Sequence, residues 1–70
     1  MIQMNDIVVI LASKELAEMR LKELIGKTGG VMEDLNYPDR KNKGYIVRLN
    51  EEFSGEFNWF VPAKSCSHVK

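Results

Sequence analysis

Turn-forming residues cut this chain into pieces too short for anything but strands, with one exception. The glycines at 26, 29 and 30, the stretch Asn36-Tyr37-Pro38-Asp39-Arg40-Lys41-Asn42-Lys43-Gly44, the segment from Asn50 to Gly55, and Pro62 all carry local turn signals. Between them lie runs of β-branched and aromatic residues. Ile7-Val8-Val9-Ile10-Leu11 is apolar on both faces, which predicts a strand covered on both sides. Val31, Glu33 and Leu35 alternate with Met32 and Asp34. Tyr45, Val47 and Leu49 share one strand face, with Ile46 and Arg48 on the other. Phe57, Trp59 and Val61 alternate with Asn58 and Phe60 until Pro62 ends the strand or sets it at an edge. Ala63 to Ser65 suits a short helical turn, and Ser67 to Val69 a last strand.

The exception runs from Lys14 to about Ile25. Ala17, Leu21 and Leu24 fall at i, i+4 and i+7 and make one stripe, while Glu18 and Lys22 form an i,i+4 pair opposite it. Ser13 precedes the run as an N-cap, and Glu15 stands in the first turn, where the helix dipole favours a negative charge. Gly26 ends the periodicity, and Gly29-Gly30 turn the chain into the Val31 strand. The predicted order is one strand, one helix and four more short strands. Five short strands in so small a chain favour a closed or half-closed barrel, because closure removes exposed edges.

Seventy residues make a single domain, 1–70, with a small core and little material to wall off an enclosed active site. Ten basic residues balance ten acidic ones, which argues against a chain devoted to a phosphate backbone but leaves room for a local basic patch. Cys66 is the only cysteine, so no internal disulfide forms. The opening MIQMNDIVVIL has no basic region before its apolar run, and that run is too short to span a membrane. A cytoplasmic protein is the expectation.

The segment Trp59-Phe60-Val61-Pro62-Ala63-Lys64-Ser65-Cys66-Ser67-His68-Val69 resembles the end of SH3-like barrels, where a strand meets a proline, a 3₁₀ turn follows and a final strand closes the barrel. Pro62, Cys66 and Val69 fall where that pattern puts its proline and two buried aliphatics. Gly26-Lys27-Thr28-Gly29-Gly30-Val31 is similar to the Gly-x-x-Gly-x-Val start of a strand in the KOW-type branch of these barrels. The resemblance covers roughly residues 26 to 69 plus the opening strand, and it makes the helix an insertion between strands 1 and 2. SH3-like barrels bind proline-rich peptides, RNA, ribosomes, methylated tails and other protein surfaces, so the likeness implies binding without naming a ligand. Peptide-binding SH3 domains place a tyrosine in the 3₁₀ turn, where this chain has Ser65, and an asparagine beside it, where this chain has Lys64. Their aromatic motif after the first strand is absent. The chain looks more like small bacterial barrel proteins than like a signalling SH3 domain.

Chemical motifs are sparse. Gly26-Lys27-Thr28 has the last letters of a phosphate-binding loop, but the glycine required five positions earlier is Leu21. The helix also precedes the motif, so its C-terminal end, partially negative, would face the phosphate. Cys66 and His68 are two residues apart with no second pair to complete a zinc site, and their spacing does not orient a nucleophile and base. The expectation is a buried Cys66 and an exposed His68. Glu33, Asp34, Glu51, Glu52 and Glu56 read as a solvated acidic surface.

Two binding surfaces remain. Phe53, Phe57, Trp59 and Phe60, with Tyr45, are too many rings for one small barrel interior. The partly exposed ones, Phe53 and one face of Trp59, would mark a protein-binding surface or the seam of a weak homodimer. Arg40, Lys41, Lys43 and Arg48 near Tyr37 and Tyr45 offer charge for phosphates and rings for bases. The sequence thus predicts a mainly β SH3-like five-stranded barrel with an inserted helix, its Ala17-Leu21-Leu24 stripe over an open end. It predicts a non-catalytic protein-interaction module, or alternatively an RNA- or ribosome-associated one. No catalytic residue, metal, cofactor or membrane contact is expected.

Overall fold

A computed structural model describes residues 2–69. The protein is mainly β: five antiparallel strands in one unclosed sheet, with one short α-helix. β1 (Ile7–Ile10) is followed by α1 (Lys14–Glu18) and a 3₁₀ turn (Lys22–Leu24). Then come β2 (Thr28–Asp34), β3 (Gly44–Phe53), β4 (Glu56–Pro62), a second 3₁₀ turn (Ala63–Ser65) and β5 (Cys66–His68). The strand order is β4-β3-β2-β1-β5, so the chain meanders from β1 to β4 and returns to pair β5 with β1.

The expected closed barrel does not form. β4 pairs with β3 and β5 with β1, and the two stand as free edges. The turn at Ala63–Ser65 delivers β5 to β1, where Leu11 N–H donates to the Ser65 carbonyl at 2.7 Å, and three residues of β5 are too few to bridge back to β4.

The inner face of the sheet holds the core: Val8, Ile10, Val31, Tyr45, Val47, Leu49 and Val61, sealed by Leu16 and Leu24 from the helical segment. Tyr45, Val47 and Leu49 share that face, as the alternation predicts. β1 departs from expectation. Only its Val8 and Ile10 side is covered, while Ile7 is 51% and Leu11 45% exposed, because no layer lies on the outer face there.

The helix is shorter than its periodicity implies. Ser13 caps it, its Oγ accepting from Leu16 N–H at 3.1 Å. After Met19 the chain turns left-handed at Arg20 (φ 60°). Leu21 N–H then donates to the Leu16 carbonyl and Arg20 N–H to that of Ala17, the pair of bonds that defines a Schellman stop. That ending shifts the stripe: Leu16 and Leu24 are fully buried, whereas Ala17 and Leu21 are only partly so.

Three further expectations change in the sheet. Gly29 and Gly30 do not turn the chain. They lie inside β2, opposite Leu49 and Arg48. A Cβ on Gly29 would sit 2.3 Å from the Arg48 carbonyl oxygen, so glycine is required there by close approach of β3. The turn belongs to Gly26 alone (φ 87°). A bulge between Val31 and Glu33 also breaks the alternation expected for β2, leaving Met32, Glu33 and Asp34 exposed in succession. Finally, Asn50 to Gly55 is not a loop. β3 runs through Phe53, and Ser54 (φ 52°) with Gly55 (φ 83°) closes a two-residue hairpin whose paired positive φ values match the right-handed strand twist.

Candidate functional site

Gly44 opposes Pro62 in the β3–β4 pairing, so the connection before β3 and the turn after β4 lie at the same end of the sheet. α1 joins them there. Ser65, fully buried, shares a 2.6 Å hydrogen bond between its Oγ and that of Ser13, the N-cap of α1. Ser65 therefore holds the helix against the β4–β5 turn.

Between α1 and the β2–β3 connection runs a groove of about 680 Å³. Its floor is Phe60, Pro62 and Ala63, with Met19 at the side. Glu15 and Glu18 line one wall, and Arg40, Lys41, Lys43 and Lys64 line the rest. The cationic wall is braced from within: Arg40 Nε donates to the Asn42 carbonyl at 3.0 Å, and Lys43 Nζ to the Arg40 carbonyl at 3.3 Å. The Arg40 guanidinium lies 5.9 Å from the centre of the Phe60 ring. On the acidic wall Glu15 is half-buried, and its Oε2 is closed off without a hydrogen-bond partner among the described residues. A carboxylate oxygen in that state is under-satisfied.

The sequence-predicted residues divide. Arg40, Lys41 and Lys43 come together in the groove. Arg48 does not join them: it stands in β3 opposite Asn58, its guanidinium 4.6 Å above the Phe57 ring. Tyr45 is a core residue at 9% exposure, and burial raises the pKa of its hydroxyl. Its ring packs the interior and offers no surface. Phe53, Phe57 and Trp59 are each half-buried. Phe53 and Trp59 meet edge to face at 5.4 Å against the core, and Trp59 Nε1 donates to the Glu56 carbonyl at 3.0 Å. These rings cap the hairpin end of the sheet, outside the groove.

Glu15, Glu18, Met19, Phe60 and Lys64 were not singled out as binding residues by sequence. The usable signal was the hairpin register, which brings Pro62 beside Gly44 and so Lys64 beside the Arg40–Lys43 loop.

Gly26-Lys27-Thr28 lines a smaller cleft of about 240 Å³. Gly26 N–H donates to Ile10, Lys27 N–H to Leu24, and Thr28 Oγ1 accepts from Asn50 Nδ2 at 2.7 Å. Both of those amides are engaged, so neither is free to cradle a phosphate. Cys66 is half-buried, and burial pushes its thiol up to about 11, which leaves it protonated and unreactive at neutral pH. His68 is exposed, its Nε2 3.0 Å from Asp6 Oδ2. Among the described residues no helix is long and apolar enough to cross a membrane.

Comparison with known protein families, with curated proteins and with solved structures returns no match for this chain.

Proposed function

We propose that the protein is a non-catalytic interaction module that takes a short segment of another protein into the groove between α1 and the β2–β3 connection. The observation that carries this reading is the groove's composition: an apolar floor of Phe60, Pro62 and Ala63 between an acidic and a basic wall. Such a surface suits a peptide with an apolar side chain flanked by charge, since the floor buries apolar area and the walls fix orientation. The SH3-like reading of the fold supports it. The strand order and the 3₁₀ turn after Pro62 support that reading, in which the helical segment between β1 and β2 is an insertion.

RNA is the alternative, favoured by Arg40 beside Phe60 and by Arg48 over Phe57. Glu15 and Glu18 weigh against it, because they would face a phosphate backbone across the same groove. A selection of random peptides displayed on phage, followed by NMR shift mapping of the winners, tests the proposal. Shifts at Glu15, Phe60 and Ala63, with binding weakened at least about tenfold by Phe60→Ala, are expected for a side chain at the centre of an interface. A mixed single-stranded RNA pool that instead shifts Arg40 to Arg48 in a salt-sensitive way would replace the peptide reading with the nucleic-acid one.

A further inference from the structure

The two free edges of the sheet are finished differently. β5 is three residues long, and its last residue is tied to Asp6. β4 is seven residues long, and from Phe57 to Pro62 it carries no charged side chain. Edge strands are ordinarily shortened, charged or covered to prevent pairing. β4 is guarded only at its ends, by Glu56 and a register shift toward β3 at the hairpin and by Pro62 with α1 beside it at the other end, while its middle, Phe57 to Phe60, carries none of these devices on its own strand.

The hydrogen bonds around β4 fix which backbone groups point outward. Ala63 N–H donates to the Lys43 carbonyl at 3.0 Å, so these residues form a hydrogen-bonded pair. Antiparallel alternation then makes Val61–Tyr45 and Trp59–Val47 hydrogen-bonded pairs as well. The Gly44 carbonyl agrees in phase: it turns away from β4 and accepts from Leu35 N–H at 2.9 Å. Asn58 and Phe60, opposite Arg48 and Ile46, therefore direct their own N–H and C=O groups off the free edge.

We infer that β4 pairs with β4 of a second copy of this chain, antiparallel about a twofold axis beside Trp59. In this register Asn58 faces Phe60 of the partner subunit, and Phe60 faces Asn58 of the partner subunit. Each pair exchanges two hydrogen bonds, and the two sheets become one. An axis beside Phe60 would set Asn58 against a proline with no N–H, and an axis beside Asn58 would leave Phe60 facing Glu56, at the hairpin turn. The Trp59 register alone uses every outward group of both residues. It also opposes no like charges, since all residues from Phe57 to Val61 are uncharged. The self-complementarity of the strand singles out a second copy as its partner.

Sedimentation and amide exchange on the full chain test this. A species of twice the chain mass should accumulate with concentration, and the Asn58 and Phe60 amides should exchange slowly only where it prevails. Asn58→Pro deletes a donor that the protein's own sheet does not use. It should keep the monomer fold while raising the dimer Kd at least about tenfold, through two symmetry-related hydrogen bonds. A chain that stays monomeric at millimolar concentration with both amides exchanging fast would overturn the inference, and so would a dimer unmoved by Asn58→Pro. If that variant does not fold, the exchange behaviour of the wild-type chain decides alone.

Discussion

The floor of the groove and its α1 wall come from parts of the molecule built to different tolerances. The sheet side is over-determined. Gly29 leaves no room for a methyl group beneath β3, Gly44 is pressed against Val61 and Phe60, and the core face is sealed. The α1 side hangs on less: one turn of helix, two buried leucines, a serine pair and an arginine forced into a left-handed conformation. A groove with a fixed floor and a lightly tethered α1 wall can adjust to its ligand by moving α1 without disturbing the sheet.

The largest effect should come from the sheet side, between neighbours. Gly29→Ala places a Cβ 2.3 Å from a backbone oxygen and 2.8 Å from Val47 Cγ1, so strands must separate. A cost of about 3 kcal/mol is expected, at the upper end of overpacking. Gly30→Ala meets nothing closer than Ile7 Cδ1 at 3.8 Å, an ordinary contact. It should change stability by less than about 1 kcal/mol. Urea unfolding of both variants measures the contrast, and equal costs would mean that β2 and β3 do not approach as described.

On the α1 side the serine pair comes next. Ser13→Ala removes the N-cap and leaves the buried Ser65 hydroxyl unpaired, which should cost about 1–2 kcal/mol. Ser65→Ala, which leaves the cap in place, should cost less. The double variant should fall short of the sum, since the two share one hydrogen bond. Additive costs would show that the helix is not tethered through this pair.

How far the sequence could be read follows the same division. Alternation in β3, the 3₁₀ turn at Ala63–Ser65 and the Ser13 cap were legible, because each is set by residues within one turn or one strand. The helix end was not. Its periodicity continues through Leu21 and Leu24, and Arg20 carries no sequence signal for a left-handed stop. The glycines misled in the opposite way. Gly29 and Gly30 read locally as a turn, yet the demand for Gly29 comes from β3, nearly twenty residues away. Barrel closure was a global inference from strand count, and the shortness of β5 defeats it. In the site, the basic wall was legible as a cluster in one loop. The acidic wall and the Phe60 floor were not, because only the tertiary register brings them to it.

A smaller and opposite effect is expected where the lightly held side carries strain. Arg20 at φ 60° occupies the position where glycine is usual in a Schellman stop. Arg20→Gly should therefore stabilise the protein by about 0.5–1 kcal/mol, the relief of left-handed backbone outweighing the extra freedom of the unfolded chain. Helix content by circular dichroism should not change. A destabilised variant would mean that the arginine side chain contributes contacts of its own.

The smallest effect belongs to β5, the other lightly held element. Asp6 accepts from Gln3 N–H at 2.7 Å and from His68 at 3.0 Å, and these contacts hold its carboxyl below its usual pKa, the Gln3 bond first. A folded pKa lower than the unfolded one stabilises the protein above the ordinary aspartate range. That contribution disappears as pH falls through the depressed value. Because the carboxylate is exposed to solvent, the contribution is small and screened by salt. Asp6→Asn should therefore lower the urea midpoint slightly at neutral pH, and the gap between variant and wild type should close in acid. Salt should narrow it as well. A gap that persists unchanged in acid would assign the loss to packing of the asparagine side chain, and the β5 end would then owe its position to its backbone bonds with β1 alone.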